Sequence, residues 1–260
     1  MKITFIGCGN MGEAILAGIH LKHTCYVCEP RLERQVELKK KYKVAFGMIV
    51  DAVKAADVIV LAVKPQDLPD VLAELRTFSL AKKLIISIAA GVTTKSIEKK
   101  LGQGVRVVRV MPNLPAMVGQ GVSGVCRGAK ATPKDVTLTQ SIFNASGTTV
   151  VVPEKMINAV TAVSGSGPAY VFLFVECWIK AARKLGFSEK EAVALVYQTL
   201  VGSTQMLLKG EASPDVLRAR VTSKGGTTQA AMDVFMTKGM DAMFEAALKA
   251  ARDRAKELSN

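Results

Sequence analysis

Lys2-Ile-Thr-Phe-Ile-Gly-Cys-Gly-Asn-Met-Gly-Glu-Ala-Ile-Leu16 is the stretch from which the fold can be read. Apolar and β-branched residues at 2–6 predict a strand, and the residues from Met11 onward predict a helix. Between them lies Gly7-Cys-Gly9-Asn-Met-Gly12. Gly7 permits a tight turn, Gly9 leaves no side chain between backbone and a pyrophosphate, and Gly12 lets the helix pack on the sheet. The helix start offers free N–H groups and a positive dipole end to phosphates. Glu29 stands at the end of the next strand, 22 residues past Gly7, where an acid meets an adenosine ribose. Ile6, Gly7, Cys8, Gly9, Asn10, Met11, Gly12 and Glu29 are therefore candidate cofactor contacts. Glu29 would accept a hydrogen bond from the ribose 2′-hydroxyl and repel a 2′-phosphate, with Arg31 and Arg34 close enough to offset that repulsion. The expected cofactor is NADH or NADPH, and Glu29 tilts the expectation toward NADH.

Outward from this stretch, strands are predicted at 2–6, 24–28, 58–62, 84–87, 105–110, 122–126 and 148–152. Amphipathic stretches at 11–20, 31–42, 67–77, 93–101 and 133–145 predict the helices between them. Such alternation makes an α/β, mostly parallel, doubly wound sheet. After Pro153 no strand pattern recurs. Pro153-Glu154 opens a helix with an acid in its first turn, and Ser188-Glu-Lys-Glu191 is a capping box for another, running to Lys209-Gly210. Ser213-Pro214 caps a third, and a Gly/Thr-rich loop at 222–228 precedes two more, broken at Gly239. The expected division is a dinucleotide-binding domain, 1–153, and an all-α domain, 154–260.

A mean hydropathy of +0.25 and 49% apolar residues in 260 argue for a sizeable core and against disorder. Lys+Arg 35 exceeds Asp+Glu 22, a net charge of +13. The cations are spread along the chain, however, and aromatics at 5% are too few for a base-stacking platform. No nucleic-acid partner is expected. A basic surface also suits a phosphate-rich cofactor and a carboxylate substrate. The densest apolar stretch, 169–179, is shorter than the ~20 residues of a membrane span and contains Glu176. A buried helix, and no membrane partner, is expected there. The N-terminus runs into a strand without a signal-peptide layout, and Cys8, Cys126 and Cys177 show no paired spacing, which points to the cytoplasm. His20, His23, Cys25 and Cys28 loosely suggest zinc, but the two cysteines sit at an odd offset in one strand and so face opposite ways. No metal is expected. These are the only histidines, so proton transfer by histidine is not expected either.

Two segments fall at strand ends, where a doubly wound sheet places its ligand: Ala62-Val63-Lys64-Pro65 and Ile88-Ala89-Ala90-Gly91. Lys64 reads equally as a solvated lysine or as a group beside cofactor or substrate. In the 222–228 loop, Gly225-Gly226 exposes backbone N–H groups, and Ser223, Thr227 and Thr228 add hydroxyls just ahead of a helix, a composition that suits an anion. The same segment also reads as a plain helix cap, and Lys224 as a solvated lysine or an extra cation.

The chain resembles the pyrroline-5-carboxylate reductase family from end to end. The residues that carry the resemblance are Phe5-Ile-Gly-Cys-Gly-Asn-Met-Gly12, Ala62-Val-Lys-Pro-Gln66, Ser87-Ile-Ala-Ala-Gly-Val-Thr93, Arg109-Val-Met-Pro-Asn-Leu-Pro-Ala116, Ala162-Val-Ser-Gly-Ser-Gly-Pro-Ala-Tyr170 and Val221-Thr-Ser-Lys-Gly-Gly-Thr-Thr228. The resemblance implies a Rossmann-type domain followed by an all-α dimerisation domain, with homodimers or larger homo-oligomers such as a decamer. It implies reduction of a cyclic imino acid, L-1-pyrroline-5-carboxylate, to L-proline with NADH or NADPH, the last step of proline biosynthesis. Carried over residue by residue, Ser223, Gly225, Gly226 and Thr227 would bind the substrate carboxylate. Thr228 would face the ring nitrogen as the catalytic residue. Glu154 and Glu211 fall where the family has acids near the substrate, and both also read as ordinary helix-end acids. Arg220 falls where the family touches the cofactor from its helical part. Leu114 stands where Thr is usual, Lys224 where Pro is usual, and Glu29 where some members have a small hydroxyl residue.

A β-hydroxyacid dehydrogenase would need a Lys-x-x-x-Asn pair on the helix after Gly165, and that helix has no such pair; a ketopantoate-type reductase would likewise need a catalytic lysine there. A cofactor-binding regulator or nucleic-acid binder without turnover would not need the 222–228 loop.

Overall fold

In a computed structural model that describes residues 1–102 and 104–259, the glycine fingerprint joins β1 (Lys2–Ile6) to α1 (Asn10–Ile19). The chain continues through β2 (Thr24–Cys28), α2 (Leu32–Lys41), β3 (Ala45–Phe46), α3 (Ile49–Ala55), β4 (Val58–Leu61) and α4 (Leu68–Leu75). Next come β5 (Leu84–Ser87), α5 (Thr94–Leu101), β6 (Arg106–Met111), β7 (Gly121–Arg127), α6 (Pro133–Phe143) and β8 (Gly147–Val151). The strands form one sheet in the order β3-β2-β1-β4-β5-β6-β7-β8. Pairing is parallel from β3 to β6, antiparallel between β6 and β7, and parallel again between β7 and β8. The near-continuous apolar runs of β1, β4 and β5 follow from burial on both faces. One face packs Ile3, Phe5, Ile15, Leu16 and Phe143 together, and the other Ile59, Leu61, Leu68, Leu72 and Ile85. The two elements not expected from sequence, β3 and α3, have two and seven residues, too short for a periodic signal.

Helix α6 begins with a capping box. Thr132 N–H and Oγ1 donate to Asp135 Oδ2 at 2.7 and 2.8 Å, and Arg106 Nη1 donates to its Oδ1 at 2.6 Å. Asp135 is buried, so its loss leaves those donors unpaired, a penalty moderated by the partial exposure of Arg106. Asp135→Ala should destabilise the fold by ~2–3 kcal/mol. A lowered urea midpoint at unchanged slope would record it.

Contacts divide the chain into two compact units, one of Met1–Pro168 with Ala250–Asn260 and the other of Ala169–Lys249. Asn260, the last residue of the expected second domain, lies outside the described residues. Beyond Pro153 every element is helical: a 3-10 turn, α7 (Ile157–Val160), a π-helical turn at Thr161–Gly165, α8 (Gly167–Lys184), α9 (Glu189–Leu208), α10 (Pro214–Arg220), α11 (Thr227–Thr237) and α12 (Met240–Glu257). The capping box at Ser188 forms as expected.

The expectation of a buried helix at 169–179 does not hold. Phe172 is 58% and Leu173 60% exposed, and Phe174 and Trp178 are also exposed. Nor is the apolar stretch short: the helical segment Glu154–Lys184, 31 residues, is long and apolar enough to cross a membrane by length and composition. The π-helical turn ends at Gly165, and α8 begins again at Gly167. Ile157, Ala162 and Ala182 are buried, but Val171, Phe172, Leu173, Phe174 and Trp178 are left exposed.

Candidate functional site

The strand order reverses direction between β1 and β4, the crevice where doubly wound sheets bind ligands. Gly7 closes the turn there. Its φ is +76°, and a Cβ would lie 2.7 Å from Val63 Cγ1 and 2.9 Å from the Ala62 carbonyl oxygen. Its N–H donates to the Cys28 carbonyl at 2.8 Å. Gly9 is the N-cap of α1, with φ −69°, and no side chain caps this helix. A Cβ at Gly9 would meet nothing within 4 Å. The first-turn N–H groups of Asn10, Met11 and Gly12 have no intrahelical acceptor by helix geometry. Open space over Gly9, ringed by such donors, fits a dinucleotide pyrophosphate.

Lys64 and Pro65 follow β4 and are exposed, with the Asp67 N–H donating to the Lys64 carbonyl at 3.0 Å. After β5, Ala89 is buried and donates its N–H to Ser87 Oγ at 3.3 Å, while Ala90 is exposed. The sequence-expected cofactor contacts of the first unit thus lie on consecutive strand-end loops.

Glu29 is placed as expected, but its carboxylate is occupied. Its Oε1 accepts the Arg31 N–H at 3.1 Å and Arg31 Nε at 2.8 Å. Its Oε2 accepts the Cys8 N–H and Arg31 Nη2, both at 3.1 Å. Burial works to raise this carboxyl group, but hydrogen bonds from Arg31 and Cys8 outweigh it and hold the group below the usual carboxylate range. Arg34 is committed elsewhere, to the Cys8 carbonyl at 3.0 Å, to Glu37 at 2.8 Å and to Glu13. Burial pushes the Cys8 thiol up to about 12, so this cysteine is a packing residue and not a nucleophile.

In the second unit, the loop before α11 is exposed at Ser223, Lys224 and Gly225. Gly225 has φ +73°, and the Gly226 N–H donates to the Ser223 carbonyl at 3.0 Å. A Cβ on Gly226 would sit 2.4 Å from Ser223 Oγ, so the hydroxyl folds in over the helix start. Gly226 caps α11 without a side-chain bond, leaving the N–H groups and hydroxyls of Thr227 and Thr228 at the helix mouth. Arg220 ends α10, and Glu211 lies exposed between α9 and α10.

Comparison with known proteins gives this geometry its family. A pyrroline-5-carboxylate reductase of Pseudomonas aeruginosa is 39% identical over 264 residues, covering 99% of this chain and 97% of its own length. The chain belongs to the pyrroline-5-carboxylate reductase family. Another reductase of this name, from Escherichia coli, is 36% identical over 99% of the chain and 98% of its own length. Residues 154–258 match the family model described as pyrroline-5-carboxylate reductase dimerisation, and residues 2–91 the one described as NADP oxidoreductase, coenzyme F420-dependent. A solved pyrroline-5-carboxylate reductase from Coxiella burnetii superposes with a TM-score of 0.94 at 40% identity, covering 99% of this chain and 98% of its own. That of Plasmodium falciparum, solved with NADP bound, has a TM-score of 0.88 at 30% identity, covering 100% and 98%.

Within this reductase chain the structure adds contacts that sequence reasoning passed over. Glu154 does not stand free: its carboxylate accepts the Thr94 N–H at 2.7 Å and Thr94 Oγ1 at 2.6 Å, with buried Arg109 at 3.5 Å. It caps the start of α5. Asn113, just beyond β6, is buried; its Nδ2 donates to the Ser164 carbonyl at 3.1 Å and its Oδ1 accepts the Val122 N–H at 2.9 Å. It thereby ties the strand end to the π-helical turn. Its place in Met-Pro-Asn-Leu, directly after an apolar strand, was the signal available. Among the described residues no group of three or more His, Cys, Asp or Glu is placed to hold a metal.

Proposed function

We propose that this chain reduces the C=N bond of L-1-pyrroline-5-carboxylate to give L-proline, the last step of proline biosynthesis, using NADH or NADPH. The carrying observation is the end-to-end kinship, 39% identity over 99% of the chain, with a reductase of that name. The open cradle at Gly9 supports it. When bound, the nicotinamide supplies the hydride. Residues 1–153 form the dinucleotide domain, contributing Ile6 to Gly12, Ala62 to Pro65 and Ile88 to Ala90. Residues 154–260 form the dimerisation and substrate domain, in which Ser223, Gly225, Gly226 and Thr227 hold the substrate carboxylate with their N–H and hydroxyl donors. Thr228 donates a hydrogen bond to the ring nitrogen and polarises the imine. It is too weak an acid to be the final proton source, so water supplies the proton that completes the amine. Glu211 lies near the substrate, and Arg220 touches the cofactor from the helical domain. Glu154, bonded to Thr94, falls with Glu211 where the family has acids near the substrate.

The exposed apolar face at 171–178 is covered by a second copy of the chain, which the dimerisation model over 154–258 supports. The working unit is a homodimer or a larger homo-oligomer such as a decamer. The chain works in the cytoplasm, where unpaired thiols persist, with neither membrane nor nucleic acid as partner. Light scattering should return a dimer or larger at micromolar concentration. A stable, active monomer would refute this assembly.

The activity itself is tested by following NAD(P)H oxidation and proline formation with pyrroline-5-carboxylate. Stoichiometric proline is expected. Cofactor binding with no turnover of the imine would overturn the reading in favour of a nucleotide-binding regulator.

A further inference from the structure

We propose that Arg31 makes this chain select NADPH over NADH, with Glu29 as the residue that positions it. The proposal rests on the reductase reading only for the turnover part of its test. An ionised carboxylate offers about four lone-pair sites. Those of Glu29 are taken by the Cys8 and Arg31 N–H groups and by Arg31 Nε and Nη2. The Glu29 side chain is 3% exposed. A ribose 2′-hydroxyl seeking this acid would have to displace one of those donors and leave it unpaired. Glu29 therefore does not act as the ribose acceptor that its position in sequence suggests.

Arg31 has the opposite standing. A guanidinium carries five N–H donors in a planar fork; Glu29 takes one from Nε and one from Nη2. Among the described residues Nη1 donates no hydrogen bond, and the side chain is 64% exposed. Three donors thus remain, in a geometry suited to phosphate. The bond to Glu29 spends little of the fork and fixes its orientation. It also cancels the carboxylate charge that would otherwise repel a 2′-phosphate. The turn that carries both residues is held in turn: Gln35 Nε2 donates to the Glu29 carbonyl at 2.7 Å. The pair stands directly after β2 and bonds to the glycine turn through Cys8, where a Rossmann unit receives the adenosine ribose. Arg34 is no rival, since its Nε, Nη1 and Nη2 are engaged by Cys8, Glu37 and Glu13 and its side chain is 13% exposed.

The test uses the full chain and measures Kd for NADPH, NADH and adenosine 2′,5′-bisphosphate, then kcat/KM with each cofactor. Wild type should favour NADPH. Arg31→Ala should weaken NADPH and the bisphosphate by about 10-fold to 100-fold, the scale of lost charge-assisted hydrogen bonds, with NADH within about 3-fold. Arg31→Lys should recover part of the loss. Glu29→Gln should lower the NADPH:NADH affinity ratio, whereas a merely structural role would weaken both cofactors alike. An unchanged ratio in Arg31→Ala, or a wild type that prefers NADH, would overturn the proposal. Failure to reduce pyrroline-5-carboxylate while the binding ratios shift as stated would instead overturn the reductase reading and leave this one standing.

Discussion

Gly9→Asp is expected to raise the Kd for either cofactor by at least about 100-fold while leaving the apo-protein as stable as before, or slightly more so. The two halves of this expectation come from one geometry. Gly9 has φ −69°, which any L-residue adopts, and a Cβ there meets nothing within 4 Å. The fold therefore accepts a side chain. Gly9 is also the uncapped N-cap of α1, and aspartate is among the preferred N-caps, better than glycine by a few tenths of a kcal/mol. But the added carboxylate fills the space that fits the pyrophosphate. Two unit charges ~4 Å apart repel by about 4 kcal/mol at an effective dielectric of ~20, equivalent to roughly 1,000-fold in Kd before any relaxation. Cofactor titration alongside thermal unfolding decides it. Unchanged affinity would remove the fingerprint from the site, whereas a collapse in stability would mean that the turn and not the phosphate contact had been lost.

Thr228→Ala should lower kcat by ~10-fold to 1,000-fold while raising KM far less, the scale of one polarising donor removed from a site of developing charge. Thr228 is the second residue of α11, and Gly226 caps that helix without using a side chain. Its hydroxyl is therefore not needed to hold the helix start. The carboxylate anchors, Ser223 and the N–H groups of 225–227, are untouched by the substitution, so substrate binding should largely survive. The hydrogen bond to the ring nitrogen strengthens as that atom gains electron density, and an interaction made mainly in the transition state appears in kcat. Ser223→Ala should show the reverse, a raised KM with kcat nearly kept. Full kcat in Thr228→Ala would pass the nitrogen to another donor, with Lys64 or a water held by Glu211 next in line, and reduce this loop to carboxylate binding.

The dinucleotide unit was legible in the sequence because its signals are local. A strand, three glycines and a helix must follow one another within eleven residues, 2–12, and β1, the turn and α1 appear where that order puts them. What was not legible is how polar side chains spend their hydrogen-bonding capacity. Glu29 reads as a ribose acid by position, and only coordinates show Arg31, two residues on, folding back onto it. Glu154 reads as a helix-end acid or a substrate group, yet it is bound to Thr94, sixty residues away along the chain. Such choices depend on long-range packing, which a spacing argument does not contain. The buried helix expected at 169–179 failed in the opposite direction. Its apolar composition was read correctly, but composition says that a surface must be covered and not that the same chain covers it.

The dinucleotide unit draws on both ends of the chain, Met1–Pro168 and Ala250–Asn260. The Leu258 carbonyl oxygen lies 2.6 Å from where a Cβ on Gly91 would stand, and Ser259 Oγ donates to Asn158 Oδ1 at 3.3 Å. On the ribosome this imposes an order of events. The eight strands and the glycine turn emerge first, but the piece that walls the loop at 88–91 is made only after all of Ala169–Lys249 has followed. At ~5–20 residues per second those intervening residues take on the order of 4–16 seconds. For that interval the nascent chain carries a nearly finished nucleotide fold with one wall missing and a growing set of uncovered apolar helices. A lapse in folding at that stage would expose both the open nucleotide crevice and apolar helix faces to aggregation.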